Sequence, residues 1–452
     1  MRKKLTVVCR HLGIGLAITL AVPAAAAAAP DPLVSQQWAL SDPAAIGAQE
    51  AWTQSSGAGV LVAVLDSGIQ LNHPDLAANI WTNPGEVAGN GLDDDANGIV
   101  DDIHGANMFT RSADVDDDNG HGTHVSGIIA ARRGNGIGGS GLAPKAQILP
   151  VKVLNSSMAG TTDTLSRGIR YAVDLGAKIL NVSVNSDGVT DSLTSAVRYA
   201  GERGAIVVAS AGNNSRNIDL LRSYPASLTD LAVFSVAAVT SAGDLWKGSN
   251  TGLASVDLAA PGERIQSTAI GSSYQSRTGT SAAAPFVAAS LALLSAARAD
   301  LPISALRDAI VDTTRRTNIL ASVLSGGRLD VGAAMHRVLA GLPWKSTTLA
   351  DATPRQPGLS AATAGPTLRL RTKSARAGAR VSLRWSARGT SSVTRWRVSL
   401  DGRVVATVPA RIARVSRRIR RAGLHNWRVV GLNASKAKVV AARRGFRVRS
   451  RR

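Results

Sequence analysis

The chain has 452 residues, 44% of them hydrophobic, and a formal net charge of +21 from 52 Lys and Arg against 31 Asp and Glu. About 100–200 residues make a domain, so this length excludes a single small module and suits one large core with a smaller unit. The charge excludes a uniform polycation: residues 366–452 hold 25 Lys and Arg against one acid, Asp401, which leaves 27 basic and 30 acidic residues before Pro366.

The chain begins "MRKKLTVVCRHLGIGLAITLAVPAAAAAAP". Basic residues, an apolar run from Leu12 to Val22 and a tract of alanines have the anatomy of a secretory signal over residues 1–29, with cleavage near Ala27 or Ala28. The apolar run is shorter than the roughly 20 residues that span a bilayer, so export is expected and no membrane span after cleavage. The lone cysteine, Cys9, lies inside this segment. The exported protein is therefore expected to hold no disulfide and no thiol catalyst.

From residue 60 to about 297, short apolar runs alternate with helical stretches. "VLVAVLD", "ILPVKVL", "AKILNVSV", "AIVVASAG" and "AVFSVAAV" are rich in β-branched residues and nearly unbroken, as buried parallel strands are. "HGTHVSGIIAA", "TDTLSRGIRYAVDLG" and "SLTSAVRYAGERG" read as helices, the last two closing at glycine. The pattern predicts an α/β fold: a doubly wound, mostly parallel sheet with helices on both faces, whose ligand sites lie at the carboxyl ends of the strands.

Between the first strand and the first of these helices lies "GLDDDANGIVDD". Asp93, Asp95, Asn97 and Gly98 fit the first half of an EF-hand loop, but the twelfth position is His104 instead of glutamate. A calcium-sensor loop, an acidic linker and a structural brace all remain open on the spacing alone. Ile99, Val100 and Ile103 could anchor such a loop in the core.

Residues 341–366 are rich in Pro, Ser, Thr and Ala without periodicity and read as a linker. The alternating runs "RVSLRWSA", "TRWRVSLDGRVVATV" and "HNWRVVGLN", with a turn at Asp401 and Gly402, predict a small all-β sandwich of immunoglobulin or fibronectin-III type over residues 367–452. Its basic residues could attract cell-wall or other polyanions, or simply be a solvated face. Trp385, Trp396 and Trp427 sit at strand positions that suit a core, so no specific nucleic-acid platform is expected.

Three motifs close predicted strands or open predicted helices. "VAVLDSGI" ends a strand at Asp66, a carboxylate able to orient an imidazole or merely to cap a turn. "NGHGTHVSG" sets His121 at a helix start; His121 and His124 as a metal pair would lack a third ligand. "GTSAAAPFVAASLALL" exposes Ser281 on a tight turn at a helix N-terminus, with Pro285 expected in the first helical turn.

The order Asp66, His121, Ser281, joined by Asn213 in "VVASAGNN", resembles the subtilisin-like serine proteases, the subtilase family, over residues 31–339. The catalytic unit is accordingly expected over residues 30–340. The resemblance implies Ser281 as nucleophile, His121 as general base, Asp66 as its orienting partner and Asn213 as an oxyanion donor. It implies protein or peptide substrates held as an added strand by Met158, Ala159, Gly160, Ser183, Val184 and Asn185, with Ala211 and Gly212 lining the site. Where the family has Ser-hydrophobic-Gly this chain reads "SVN", so Asn185 is expected to narrow or polarise the first pocket, within a broad preference for apolar or aromatic residues.

The resemblance also implies structural calcium, at one site or two. One uses Asp31, Asp75, the side chain of Asn135 and the carbonyls of Ile137 and Gly139; the aspartate loop would supply the second through Asp93, Asp95, Asn97 and Asp102. No organic cofactor and a monomer are expected. The chain departs from the family in Ala282 after the nucleophile, where methionine is usual, and no domain-sized propeptide is expected, since "PDPLVSQQWALSDPAAIGAQEAW" already resembles the start of a mature enzyme. A non-catalytic secreted relative that binds anionic cell-surface polymers is the competing reading; a lipase would need a G-x-S-x-G elbow that is absent.

Overall fold

The computed structural model describes residues 30–228, 233–317 and 320–341, and beyond them residues 367–371, 375–376, 380–388, 394–400, 403–410, 414–418, 423–432 and 438–449. Strands β1 (Leu61–Asp66), β2 (Ala106–Asn107), β3 (Gln147–Lys152), β4 (Ile179–Val182), β5 (Ile206–Ser210), β6 (Val233–Val239) and β7 (Leu258–Pro261) pair in parallel. Strands β8 (Ile265–Ala269) and β9 (Ser273–Arg277) form a separate hairpin, while β10 (Arg315–Arg316) and β11 (Gly327–Arg328) close one edge of the main sheet. The spatial order is β10-β11-β7-β6-β5-β4-β1-β3-β2. The chain thus leaves β1 for β3 on one side and crosses to β4 on the other, and in such sheets the crevice at this reversal is where ligands bind.

The helices are α1 (Trp38–Ser41), α2 (Ala48–Trp52), α3 (His121–Ala130), α4 (Thr162–Asp174), α5 (Asp191–Glu202), α6 (Thr280–Ala297), α7 (Ile303–Asp312) and α8 (Val331–Leu339). The five apolar runs became β1, β3, β4, β5 and β6, and the three helical stretches became α3, α4 and α5. Strand alternation splits the core in two. Val62 and Val64 face Val125, Ile128 and Phe286 of α3 and α6, whereas Ala63 and Leu65 face Leu165 and Ile169 of α4. After α4 and α5 the chain turns at Gly176 and Gly204, at φ +92° and +74°, the left-handed conformation that glycine takes most readily. Among the described residues α6 alone is long and apolar enough to cross a membrane, and it is mostly buried inside this core.

Pro285 does not fall in the first turn of its helix. It is the sixth residue of α6, because the helix begins at Thr280. Proline has no N–H, so the carbonyl four residues earlier, that of Ser281, loses its helical donor. Ser183 Oγ supplies the replacement at 3.0 Å and thereby ties the end of β4 to the start of α6. In the aspartate loop Ile99 is buried as expected and Ile103 is half-buried, but Val100 is exposed at 48% and anchors nothing.

The later strands are β12 (Thr367–Arg371), β13 (Ala375–Arg376), β14 (Arg380–Arg388), β15 (Arg395–Leu400), β16 (Arg403–Pro409), β17 (Arg414–Arg418), β18 (Gly423–Leu432) and β19 (Lys438–Arg449). They form two small sheets, β12-β14-β17 and β13-β19-β18-β15-β16, antiparallel except for β13 with β19. Exposed Arg395 and Arg397 alternate with buried Trp396 and Val398. Trp385 of one sheet meets Trp396 of the other edge to face, with ring centroids 6.1 Å apart. The expected signal segment, most of the linker and the turn at Asp401 and Gly402 lie outside the described residues.

Candidate active site

Asp66 ends β1 fully buried, and its Oδ1 accepts from the Nδ1 of His121 at 2.7 Å and from the Ser67 N–H at 2.8 Å. Its Oδ2 is buried without a partner among the described residues. His121 opens α3 only because the chain around it is held tightly. Gly122 lets that helix approach the end of β1, where a Cβ would come within 2.1 Å of the Gly68 carbonyl oxygen. Asp117 supplies the other restraint: its Oδ1 accepts from Ser67 Oγ, Asn119 N and Gly120 N, and its Oδ2 from both the N–H and the hydroxyl of Thr123. One carboxylate therefore joins the residue after Asp66 to the residues on either side of His121. Lys152 Nζ braces the same turn by donating to the carbonyls of Ser67 and Asp116 and to Asp118 Oδ1.

Burial pulls the His121 imidazole down, but the charge of Asp66 and its hydrogen bond outweigh this, and the net shift is upward from 6.5. His124 behaves oppositely. Its Nε2 faces the carbonyls of Ile265 and Gln275, and burial pushes it down to about 3, so it stays neutral. The ring is committed to β8 and β9, which removes the metal pair with His121.

Ser281 lies in the first turn of α6, a helix packed against α3. Its Oγ donates to the Ser183 carbonyl at 3.0 Å, so the hydroxyl is engaged there instead of with His121. The other flank of the turn is tied to the exit of β5. Thr280 donates to Asn213 Oδ1 through its N–H at 2.9 Å and its hydroxyl at 2.8 Å, and the Gly212 N–H donates to Thr280 Oγ1. With Oδ1 occupied, the donor end of the Asn213 amide, Nδ2, is oriented away from Thr280, and a Cβ at Gly279 would crowd it at 3.0 Å. The structure thus brings Asp66 directly to His121, and Ser281 to Ser183 and, through Thr280, to Asn213.

A cleft of about 320 Å³ is lined by Met158, Ala159 and Gly160 on one side and Ser183, Val184 and Asn185 on the other, with Leu154 and Leu165 among its walls. Ala211 and Gly212 are not part of it, contrary to expectation. Both are buried: the Ala211 N–H donates to Val236 O, its carbonyl accepts from Asn250 Nδ2, and Gly212 is held by Thr280 and Asn250.

The first set of calcium candidates gathers in one place. Asp75 Oδ1 accepts from Asn135 Nδ2 at 2.6 Å, and its Oδ2 from Tyr274 and from the Gly139 N–H, while Asp31 accepts from the N–H groups of Gly134, Asn135 and Gly136. The Ile137 N–H goes to Asn135 Oδ1. Burial of Asp75 raises its pKa despite these bonds. Two buried carboxylates beside a glycine cradle, where a Cβ at Gly138 would lie 2.1 Å from Asp75 Oδ2, fit a hard dication once the Asn135 amide turns its oxygen inward.

The aspartate loop also gathers carboxylates, but not with the expected set of ligands. Glu86, Asp95 and Asp102 place oxygen atoms within 4.8 Å of one another, and Glu86 Oε2 is a buried oxygen without a partner among the described residues. Asn97 Nδ2 donates to Asp102 Oδ2, as does the hydroxyl of Tyr171, and Asn83 Nδ2 reaches both Asp95 and Asp102. Burial raises the pKa of Asp102. Three converging carboxylates and an orphaned oxygen fit a divalent cation. Asp93 is not in this set: both of its oxygens accept from turn N–H groups, those of Asn97 and Gly98, whereas Asp95 gives only Oδ1 to the Asn97 N–H and keeps Oδ2 for Asn83. Sequence reading missed Glu86, Thr280 and Asp117. Only Asp117 carried a local signal, an acid just before the start of a helix whose N–H groups need acceptors.

Residues 57–342 match the sequence model of the subtilase family. Thermitase of Thermoactinomyces vulgaris is 35% identical over 294 residues, 65% of this chain and 95% of the relative. Subtilisin-like protease 1 of Plasmodium berghei is 31% identical over 326 residues, 67% of this chain but 54% of the relative, so the chain spans about half the length of that protein. A solved structure described as proteases from Pseudoalteromonas arctica superimposes with a TM-score of 0.58 at 28% identity, covering 69% of this chain and 99% of that one. With the family model matched over more than half of its residues and thermitase matched along nearly its whole length, the chain belongs to the subtilase family of serine proteases.

Proposed function

We propose that the chain is a secreted serine endopeptidase that hydrolyses peptide bonds through Asp66, His121 and Ser281 by way of an acyl-enzyme. The observation that carries this reading is the 2.7 Å bond from His121 to buried Asp66, with Ser281 on the turn clasped between Ser183 and Asn213. Serine is a weak nucleophile until a base takes its proton. The Ser281 hydroxyl turns from the Ser183 carbonyl to Nε2 of His121, which accepts the proton as Oγ bonds to the scissile carbonyl carbon. The carbonyl electron pair moves onto oxygen, where Asn213 Nδ2 and the Ser281 N–H hold it; one such donor is worth about 100- to 1,000-fold in rate. Collapse breaks the C–N bond, and His121 gives its proton to the leaving amine. Water then repeats the sequence on the ester and releases the acid.

The substrate lies extended between Met158–Gly160 and Ser183–Asn185, and the apolar walls of the cleft favour apolar side chains in an otherwise broad range of sequences. Two calcium sites brace the fold: Asp31, Asp75, Asn135, Ile137 and Gly139 hold one ion, and Glu86, Asp95 and Asp102, with Asn97 turned, the other. A bound ion supplies only charge neutralisation and cross-linking. Secretion rests on the N-terminal segment, and the protein acts as a monomer. The two antiparallel sheets form a β-sandwich whose exposed arginines attach the enzyme to polyanions at the cell surface.

These outcomes are expected. A fluorophosphonate labels the folded, calcium-replete protein and does not label Ser281→Ala; a wild type that stays unlabelled would favour a non-catalytic binding protein. His121 acts as base only when neutral, so kcat/KM rises with pH through a pKa above 6.5. Asp66→Asn removes the charge that raises this pKa, so the acid limb moves to lower pH while kcat falls about ten-thousand-fold. Chelation lowers the Tm of the wild type. Because burial disfavours the ionised form of Asp102, Asp102→Asn melts at or above the wild type in chelator and below it in calcium. Lastly, a chain ending at Gly341 is retained on cells less than the full chain, and the difference disappears in high salt; equal retention would dismiss attachment.

A further inference from the structure

The two segments that clasp the nucleophile's turn leave adjacent parallel strands. β4 and β5 pair with Val182 opposite Ala209, so Ser183 and Ser210 emerge side by side at the carboxyl edge of the sheet. From there Ser183 goes to Ser281, and the chain after Ser210 runs to Asn213. When a carbonyl carbon sits on Ser281 and its oxygen on Asn213 Nδ2, the side chain of that residue is directed into the gap between these two exits. The structure assigns an occupant to this gap. Asn185 reaches across it, its Nδ2 donating to the Ser210 carbonyl at 2.7 Å and its Oδ1 accepting from Ser210 Oγ at 3.1 Å.

We propose that this amide bridge closes the first specificity pocket, so that the enzyme cleaves after small residues such as Gly, Ala and Ser and discriminates against aromatic ones. The inference rests on Ser281 being the nucleophile and names the substrate class of that site. Three features support it. Both hydrogen-bonding atoms of the Asn185 amide group engage Ser210, which is fully buried, so displacing the bridge would leave polar atoms of Ser210 unpartnered. The backbone on either side of Asn185 is pinned, at Ser183 by Ser281 and at Ser186 by paired N–H to carbonyl bonds with Tyr224 at 2.9 and 2.7 Å. Beyond the bridge Ala211 and Gly212, which would floor an open pocket, are buried. The wider cleft shares Ser183 and Asn185 with this gap, and its apolar walls at Leu154, Leu165 and Val184 keep their preference for more distant substrate residues.

The test compares kcat/KM on two fluorogenic peptides that differ only in having Ala or Phe before the scissile bond. Rates are expressed per site titrated with fluorophosphonate, so that unfolded protein is not counted. The wild type is expected to prefer Ala by about tenfold or more, the scale on which a pocket separates side chains by size. Asn185→Gly opens the gap and raises kcat/KM for the Phe peptide by about tenfold. Asn185→Asp keeps the size of the side chain but sets a carboxylate oxygen against the Ser210 carbonyl; it is expected to shift the Ala/Phe ratio in the same direction and serves if the glycine variant does not fold. A labelled wild type that cleaves the Phe peptide as well as the Ala peptide overturns the proposal, as does an unchanged ratio in a folded variant. A wild type that neither takes the label nor cleaves either peptide overturns the peptidase reading itself.

Discussion

A carboxylate without solvent exposure is costly unless polar partners surround it, and Asp66 meets that demand with the imidazole of His121 and the N–H of Ser67. The bond fixes more than two side chains. It requires α3 to begin beside the end of β1, hence a glycine after the histidine and a second acid to terminate the incoming loop. It also gives the imidazole one tautomer, with Nδ1 the donor to Asp66 and Nε2 left as the acceptor. Because α3 and α6 share one face of the sheet, the helix that presents the serine is held in the same layer.

The turn at Ser281 is organised by backbone deficits and their repair. Pro285 leaves the Ser281 carbonyl without a helical donor, and the Ser183 hydroxyl fills the vacancy while the Ser183 carbonyl accepts from the Ser281 hydroxyl. This reciprocal pair keeps Ser281 near Ser183, which lines the cleft. On the opposite side Thr280 spends both of its donors on one oxygen of Asn213, which orients the amide before any substrate arrives. Orientation in advance is what makes such donors effective, since no reorganisation is needed when charge develops.

Much of this could be read from the residues. Buried parallel strands write themselves as unbroken apolar runs, and Asp66, His121, Asn213 and Ser281 each sit at a strand end or a helix start, where glycines mark close approach. What could not be read depended on orientation. Asp93 and Asp95 are chemically identical and both accept from the Asn97 N–H, yet only Asp95 also brings a carboxylate oxygen close to those of Glu86 and Asp102. Pro285 suggested a later helix start than the one observed, because Thr280 and Asn213 set that boundary through bonds between residues 67 apart. Ala211 and Gly212 belong to the right segment, but long-range packing by Asn250 buries them.

Asp117 carries a consequence for how this protein can change. The segment between β1 and α3 contains the whole acidic loop, yet the angle between Asp66 and His121 is set by a staple that closes only a few residues from either end. Within that interval Ile69, Asp75, Leu76 and β2 are packed into the core, but the mostly exposed stretch of residues 84–98 hangs outside the staple. Its length and sequence can drift, lengthen or be exchanged for a foreign insert while the chemistry upstream and downstream keeps its alignment. The position offers a natural grafting point for engineering, and a reason why a long insertion could enter this interval without disturbing the contact between Asp66 and His121.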